Sequence, residues 1–267
     1  LPFSPRWLIS KGENKEAEKI LNQINSISKT KIIIKEIEDD LKNFSSNESI
    51  FLKKYRFILI LAFAIAFFNQ FSGINAVLYY APRIFEETGL GKDASLFNSI
   101  ILGVTNLIFT CLGVILIDRI GRKKLMLIGS IGYIISLTII ALSIKNNPFG
   151  INSSIFIFSF IASHGVGQGT VIWVFISEIF PNSLRSKGQA FGSSVHWVLA
   201  AIIPAFIPYL LNSIGSQIIF SFFAFMMSLQ LLFVIFIMPE TKGVSIELLF
   251  KEVLESKNKK RKKENNS

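Results

Sequence analysis

The stretch Phe57-Ile58-Leu59-Ile60-Leu61-Ala62-Phe63-Ala64-Ile65-Ala66-Phe67-Phe68-Asn69-Gln70-Phe71-Ser72-Gly73-Ile74-Asn75-Ala76-Val77-Leu78-Tyr79-Tyr80 decides the fold. Its first half is wholly apolar, and the whole is long enough, at ~1.5 Å of rise per residue, to cross a hydrocarbon core of roughly 30 Å as a helix. Then three amides, a serine and a glycine arrive together. Polar groups at membrane depth are costly unless they face protein or water, so they mark a solute path; the plainer role is hydrogen-bonded glue between helices. Gly73 lets the backbone loosen, as in the broken helices that build transporter sites. Gln70 and Asn75 stand about 140° apart on an ideal helix, so both reach one solute only if the helix deforms near Gly73 or the solute is embraced from two sides.

The same pattern recurs along the chain. With 51% hydrophobic residues, 26 Phe and 17% charged residues, the composition is too apolar and too aromatic for a soluble domain. Charges fall in blocks separated by gaps long enough to span a bilayer. The expected class is an all-α integral membrane protein with spans at about 57–80, 98–117, 125–143, 155–180, 191–211 and 217–238. Residues 1–49 are expected to form a helical segment outside the membrane, 50–243 the six-span bundle, and 244–267 a basic tail. Ser4, Pro5 and Gly12 bracket a short helix; amphipathic patterns over 15–27 and 30–41 predict two more, with a strand as the lesser alternative at Ile32-Ile33-Ile34.

The formal net charge of +10 suggests nucleic acid only until its placement is seen. Lys53-Lys54-Tyr55-Arg56, Arg119 to Lys124, Arg185 with Lys187, and the tail flank spans on one side, whereas the other side carries Arg83, Lys92 and Lys145. Orientation in a bilayer accounts for this, with the basic side and both termini cytoplasmic. No nucleic-acid partner is expected. Cys111 sits alone inside an apolar segment and reads as a small buried hydrophobe.

Two junctions concentrate charge. Asp118-Arg119-Ile120-Gly121-Arg122-Lys123-Lys124 follows the second span; Glu178 ends the fourth and Arg185 opens the fifth. Asp118, Arg119 and Arg122 are expected to pair with Glu178 and Arg185 in a cluster that forms in one conformation and breaks in another; independent surface pairs, worth little each, are the alternative. Gly165, Gly167 and Gly169 fall inside a span and follow no strand, so they read as close packing, not a nucleotide loop. His164 and His196 lack companions at ligand spacing, so neither a metal nor another cofactor is expected. No catalytic set can be assembled, and the protein is not expected to be an enzyme.

These junctions also carry a family resemblance. Asp118 to Lys123 resembles the repeated loop signature of the major facilitator superfamily. Ser4-Pro5-Arg6-Trp7-Leu8, Gln70 to Asn75, Trp173 to Arg185 and Pro239-Glu240-Thr241-Lys242-Gly243 together resemble the sugar porter family within it. That resemblance implies two six-span bundles, of which this chain looks like the C-terminal one with the preceding intracellular helices; the N-terminal six-span bundle is then a missing partner. It implies sugar contacts for Gln70, Asn75, Asn106, Trp173 and Trp197. Asn69 stands where a longer glutamine is usual, and His196 where Asn or Gln is commoner. His164 falls where an aromatic residue lines the cavity. Tyr79 and Tyr80 resemble an outer gate, and Glu178 with Arg185 an inner one.

The implied function is secondary transport of a monosaccharide, hexose or pentose, across a lipid bilayer, as a uniporter or a proton symporter. Amides offer donors and acceptors without net charge, and indole offers a flat wall plus one donor, which suits a ring of hydroxyls with apolar faces. Six spans alone cannot alternate access around a two-bundle site. A transport-inactive sensor or a decayed fragment of a sugar porter is therefore the alternative expectation.

Overall fold

The computed structural model describes residues 3–43, 49–87, 89–145, 153–181 and 184–243. The chain divides into two compact units, residues 1–50 with 182–184, and residues 51–181 with 185–267. The basic tail expected over 244–267 lies outside the described residues, as does most of the linker that precedes the first span.

The smaller unit holds α1 (Pro5–Ser10), α2 (Asn14–Asn22) and α3 (Ile27–Asn43). Leu8, Ile9 and Ala17 are buried against Ile20, Ile34 and Ile37, which are the apolar stripes of three short amphipathic helices brought together. Pro5 occupies the first turn of α1, and Gly12 reverses the chain after it with a positive φ of 82°. Ile32-Ile33-Ile34 is helical, because its flanks share the same helical period.

The larger unit begins with α4 (Arg56–Phe71), α5 (Ile74–Tyr79) and α6 (Ala81–Glu87). Then come α7 (Lys92–Ile120), α8 (Arg122–Lys145) and α9 (Ser153–His164). A π-helical turn over Gly165–Gly169 leads into α10 (Thr170–Ile179), followed by α11 (Arg185–Ile214) and α12 (Ser216–Phe236). Among the described residues, six helical stretches are long and apolar enough to cross a membrane: Lys53–Tyr79, Lys92–Ile120, Arg122–Ile144, Ser154–Ile179, Arg185–Ile214 and Ser216–Phe236. The helices run past the apolar gaps read from sequence. Gly121 alone separates α7 from α8, and Gly215 alone separates α11 from α12.

In lipid there is no hydrophobic drive between apolar helices, so close approach and internal hydrogen bonds must hold the bundle. α12 packs along α8, α8 along α9, and α11 along α4. The π-turn glycines provide close approaches. A Cβ added to Gly167 would stand 2.9 Å from the Gly129 Cα, and one added to Gly165 2.8 Å from the backbone of Phe109.

Two apolar cores result. One gathers Ile74, Phe85, Tyr133, Phe160 and Phe223; the other gathers Ile65, Met126, Phe175 and Val234. Several of the helical stretches that contribute to both cores carry buried polar residues between the two. These are Asn69, Gln70 and Ser72 after α4's apolar run, Ser130 on α8, Gln168 in the π-turn, and Gln230 on α12. The bundle therefore carries a polar layer between two apolar slabs. In that layer Gln230 Nε2 donates to Ser130 Oγ at 2.8 Å, Gln168 Nε2 donates to Gln230 Oε1, and Ser130 Oγ donates to the Met126 carbonyl at 2.7 Å.

Candidate functional site

The site begins where the first span breaks. Gly73 takes a left-handed conformation, φ 83° and ψ 11°, and separates α4 from α5. A break frees backbone groups that a continuous helix would pair. Here the Gly73 N–H bonds to the Gln70 carbonyl at 3.1 Å, and this leaves the Asn69 carbonyl and the Ile74 N–H without their helical partners. Ser72 serves both. Its hydroxyl donates to the Asn69 carbonyl at 2.6 Å and accepts from the Ile74 N–H at 3.3 Å. The Phe223 ring lies against the face of Gly73 where a Cβ would stand.

The break also changes which side chains meet. Asn75 Nδ2 donates to Gln70 Oε1 at 2.8 Å, although the two would diverge on an ideal helix. Gln70 Nε2 donates to Asn69 Oδ1 at 3.1 Å and lies 3.1 and 3.2 Å from the two ring nitrogens of His196, whose unprotonated nitrogen accepts. Gln70 thus uses its amide fully, at 1% exposure. Among the described residues, no hydrogen bond is made by Asn69 Nδ2 or Asn75 Oδ1, whereas Asn69 Oδ1 and Asn75 Nδ2 are both engaged by Gln70.

Two indoles bound this cluster. Trp173, on α10 just after the π-turn, meets the His196 ring edge to face with centroids 4.8 Å apart, and Trp197 does so from the neighbouring position at 5.0 Å. Trp197 is 61% exposed, so one wall is open. The structure therefore joins Asn69, Gln70, Asn75, His196, Trp173 and Trp197 into one neutral, aromatic-walled group. Asn106, on α7, has no hydrogen bond to it, and its Oδ1 is buried with no partner. His164 stands apart from the amides and bonds to the Tyr133 hydroxyl at 2.5 Å.

The tyrosine pair divides its work. Tyr79 is exposed, while the Tyr80 hydroxyl donates to the Pro204 carbonyl at 3.1 Å. That carbonyl is available because its helical donor four residues on would be Pro208, which has no N–H.

At the junction of α7 and α8, Arg122 dominates. Its Nε and Nη2 grip the Glu178 carboxylate at 3.0 and 2.7 Å, its Nη1 donates to the Ile117 carbonyl at 3.1 Å, and Nη2 lies 3.0 Å from Asp118. No ion pair joins Glu178 to Arg185 among the described residues, contrary to the expected inner pairing. The reason is that Arg122 and the Thr241 hydroxyl, at 2.6 Å, already occupy that carboxylate. Arg119 contributes its carbonyl, which accepts from Lys242 Nζ at 2.7 Å.

Several residues escaped the sequence reading. Glu240 accepts from the backbone N–H groups of Arg122 and Lys123 at 2.9 and 3.1 Å, an acidic cap on the first turn of α8. The motif at 239–243 was visible, but nothing in it told which helix it would cap. Gln168 and Gln230 are single amides in apolar runs, and no spacing rule joins residues in separate spans.

Comparison with known proteins places this arrangement. Residues 1–252 match the family described as "Sugar (and other) transporter". The chain is 39% identical over 250 residues to the arabinose-proton symporter of Bacillus subtilis (strain 168), covering 92% of this chain and 54% of that protein. It is 32% identical over 255 residues to the D-xylose-proton symporter of Escherichia coli (strain K12), covering 93% and 52%. Its fold superposes with a TM-score of 0.77 and 30% identity on the major facilitator superfamily proton:xylose symporter XylE bound to 6-bromo-6-deoxy-D-glucose, covering 94% of this chain and 55% of that one. The chain spans about half the length of the curated relatives it matches. With its six apolar helices and this match, the chain belongs to the sugar transporter family, as a multi-pass membrane bundle of the major facilitator fold.

Proposed function

We propose that this chain forms one wall of a monosaccharide-binding cleft in a secondary transporter, as its C-terminal bundle. The observation that carries the reading is the meeting of Gln70, Asn75, Asn69 and His196 at a helix break, between the indoles of Trp173 and Trp197. Neutral donors and acceptors beside a flat apolar wall fit a sugar ring and still release it. Asn106 Oδ1, buried and unpartnered, offers a further acceptor from α7. Only 17% of the α7 span and 28% of the α11 span are buried within the bundle, against 50% or more for the other four. These two spans carry Asn106 and Trp197, so the cleft opens toward the face that a second six-span bundle would cover. Relatives named for the pentoses arabinose and D-xylose, and one named for the hexose glucose, favour a pentose or hexose as cargo, and the first two favour proton symport as the coupling.

Transport then follows from rocking of two bundles about the sugar. Tyr79 and Tyr80 guard one end. At the other, Arg122 and Glu178, with Asp118, Arg119 and Arg185 beside them, form a latch whose bonds bias one conformation. The distribution of lysine and arginine puts that latch, the helices of residues 1–49, the tail of 244–267 and both termini on the cytoplasmic side. The test is sugar binding and uptake by the full-length protein in proteoliposomes. Gln70→Ala removes the hub of the cluster and is expected to weaken affinity by about tenfold or more, since tenfold corresponds to ~1.4 kcal/mol, the size of one or two hydrogen bonds. Unchanged affinity would remove the amide cluster from the reading.

A further inference from the structure

The fourth span changes period at Gly165–Gly169, where the π-turn separates α9 from α10. A π-turn closes residue i on i+5 and so holds one residue more than the α-helical turn it replaces. Its collapse to an α-helix would rotate everything beyond it by about 100° and shift it by ~1.5 Å. What lies beyond is α10, which carries two groups already described. Trp173, in its first turn, meets the His196 ring with centroids 4.8 Å apart. Glu178, near its end, takes the Arg122 grip at 3.0 and 2.7 Å. The register of one turn therefore sets both a wall of the cleft and one half of the latch.

The turn has little stiffness of its own, since three of its five residues are glycine. The Thr170 hydroxyl closes it locally by donating to the Gly165 carbonyl at 2.7 Å. Gln168, within the turn, ties it outward. Its Nε2 donates to Gln230 Oε1 on α12, Gln230 Nε2 donates to Ser130 Oγ on α8 at 2.8 Å, and Ser130 Oγ donates to the Met126 carbonyl at 2.7 Å. The donors run in one direction through three spans, and Gln168, Gln230 and Ser130 are all fully buried. Gln168 Oε1 has no partner among the described residues, so Gln230 is the hold on that amide. A rotation of the turn would carry Gln168 away from Gln230 and strand two amides at membrane depth, where no water replaces the lost bond.

We propose that Gln168 and Gln230 are positioning residues, a pin that keeps the fourth span in π register and so fixes Trp173 and Glu178 together. Both act through α10 and not on the solute. The effect on affinity rests on the reading of the cleft as a sugar site; the register does not. Amides that merely glued α12 to its neighbours would stabilise the bundle without linking the ladder to Glu178.

The test uses the full-length protein. Gln230→Met and Gln168→Met keep an unbranched side chain of similar length and remove the amide. Labelled arabinose, D-xylose and glucose are the probes, and the sugar that the wild type binds is used for the variants. Each variant is expected to raise its Kd about tenfold, and the double variant no further than either alone. Deleting Gly169 removes the extra residue and lets the span run as an α-helix with α10 in its present setting; in that background Gln230→Met is expected to change Kd by less than about twofold. Two measurements need no sugar. Hydrogen exchange of the detergent-purified protein is expected to quicken about tenfold over residues 165–174 in Gln230→Met and to stay within about twofold over 72–77. Thermal unfolding reads the latch. Arg122 lies eight positions from Ser130, or ~12 Å along α8, so glue would make Arg122→Lys and Gln230→Met additive. The pin instead predicts that Arg122→Lys loses about half or more of its effect in the Gln230→Met protein. Additive effects, unchanged exchange over 165–174, or an unchanged Kd in a sugar-binding protein each overturn the proposal. If exchange and unfolding respond as expected but the wild type binds none of the three sugars, the pin stands and the sugar assignment falls.

Discussion

Replacing Gly73 with alanine tests the break from which the site is built. Two costs combine. Alanine at φ 83° pays the left-handed penalty, about 1–2 kcal/mol. Its Cβ would also stand within 3.0 Å of three atoms of the Phe223 ring. That ring is 3% exposed and packed in the core shared with Ile74 and Tyr133, so it must shift, at roughly 1–3 kcal/mol. The sum is about 2–5 kcal/mol, or roughly a 4–9 °C drop in Tm for a chain of this size. The assay is thermal unfolding of the full-length protein in detergent, followed by tryptophan fluorescence and by size-exclusion recovery. Phe223→Ala separates the terms. Alone it opens a cavity; combined with Gly73→Ala it should cost about 1–3 kcal/mol less than the two single effects added. A Gly73→Ala protein as stable as wild type would mean that α4 and α5 can join as one helix and that the break is not required. Additive effects would instead remove Phe223 from the account.

Further substitutions probe the Arg122 junction and the Tyr80 contact. Arg122→Lys keeps the charge but loses the two-pronged grip on Glu178, and is expected to lower stability by roughly 2–3 kcal/mol. Asp118→Asn, at a carboxylate 79% exposed, should change it by less than about 1 kcal/mol. Equal effects in thermal unfolding would refute the ranking. Tyr80→Phe strands the Pro204 carbonyl and is expected to cost about 1 kcal/mol in the same measurement. In a Pro208→Ala background, which restores the helical N–H to that carbonyl, the cost should vanish; a persisting cost would place the tyrosine's role elsewhere.

Much of this was legible in the chain because the relevant physics is local. A glycine among amides inside an apolar run announces a deformed span, and the structure deforms it at Gly73, which resolves the opposing directions of Gln70 and Asn75. Apolar gaps between charged blocks identify the spans. What stayed hidden depends on pairings between distant segments. Glu178 had three arginines within plausible reach, and only the packing of α7, α8 and α10 selects Arg122. Ser72 looked like one more small polar residue until the break left two backbone groups for it to serve. Tyr133 and Gln230 read as ordinary members of apolar helices, since one polar residue in a span has no periodicity. Asn106 illustrates the reverse: the resemblance named it, and the bundle leaves its oxygen buried without a hydrogen-bond partner.

The polar layer has a consequence for how the protein is made. Gln70 meets His196 across a separation of 126 residues. At ~5–20 residues per second of synthesis, the first span waits roughly 6–25 s in the membrane before its partner helix exists. During that interval Asn69 and Asn75, its own neighbours, are the groups able to occupy the Gln70 amide. The local triad thus acts as a temporary shelter, one that lets a span with three amides enter lipid early, keeps its internal bonds in the finished fold and adds His196 of α11 once that helix arrives. Removing Asn75 would then tax insertion before it touched the finished site, and the loss would appear as degraded nascent chains.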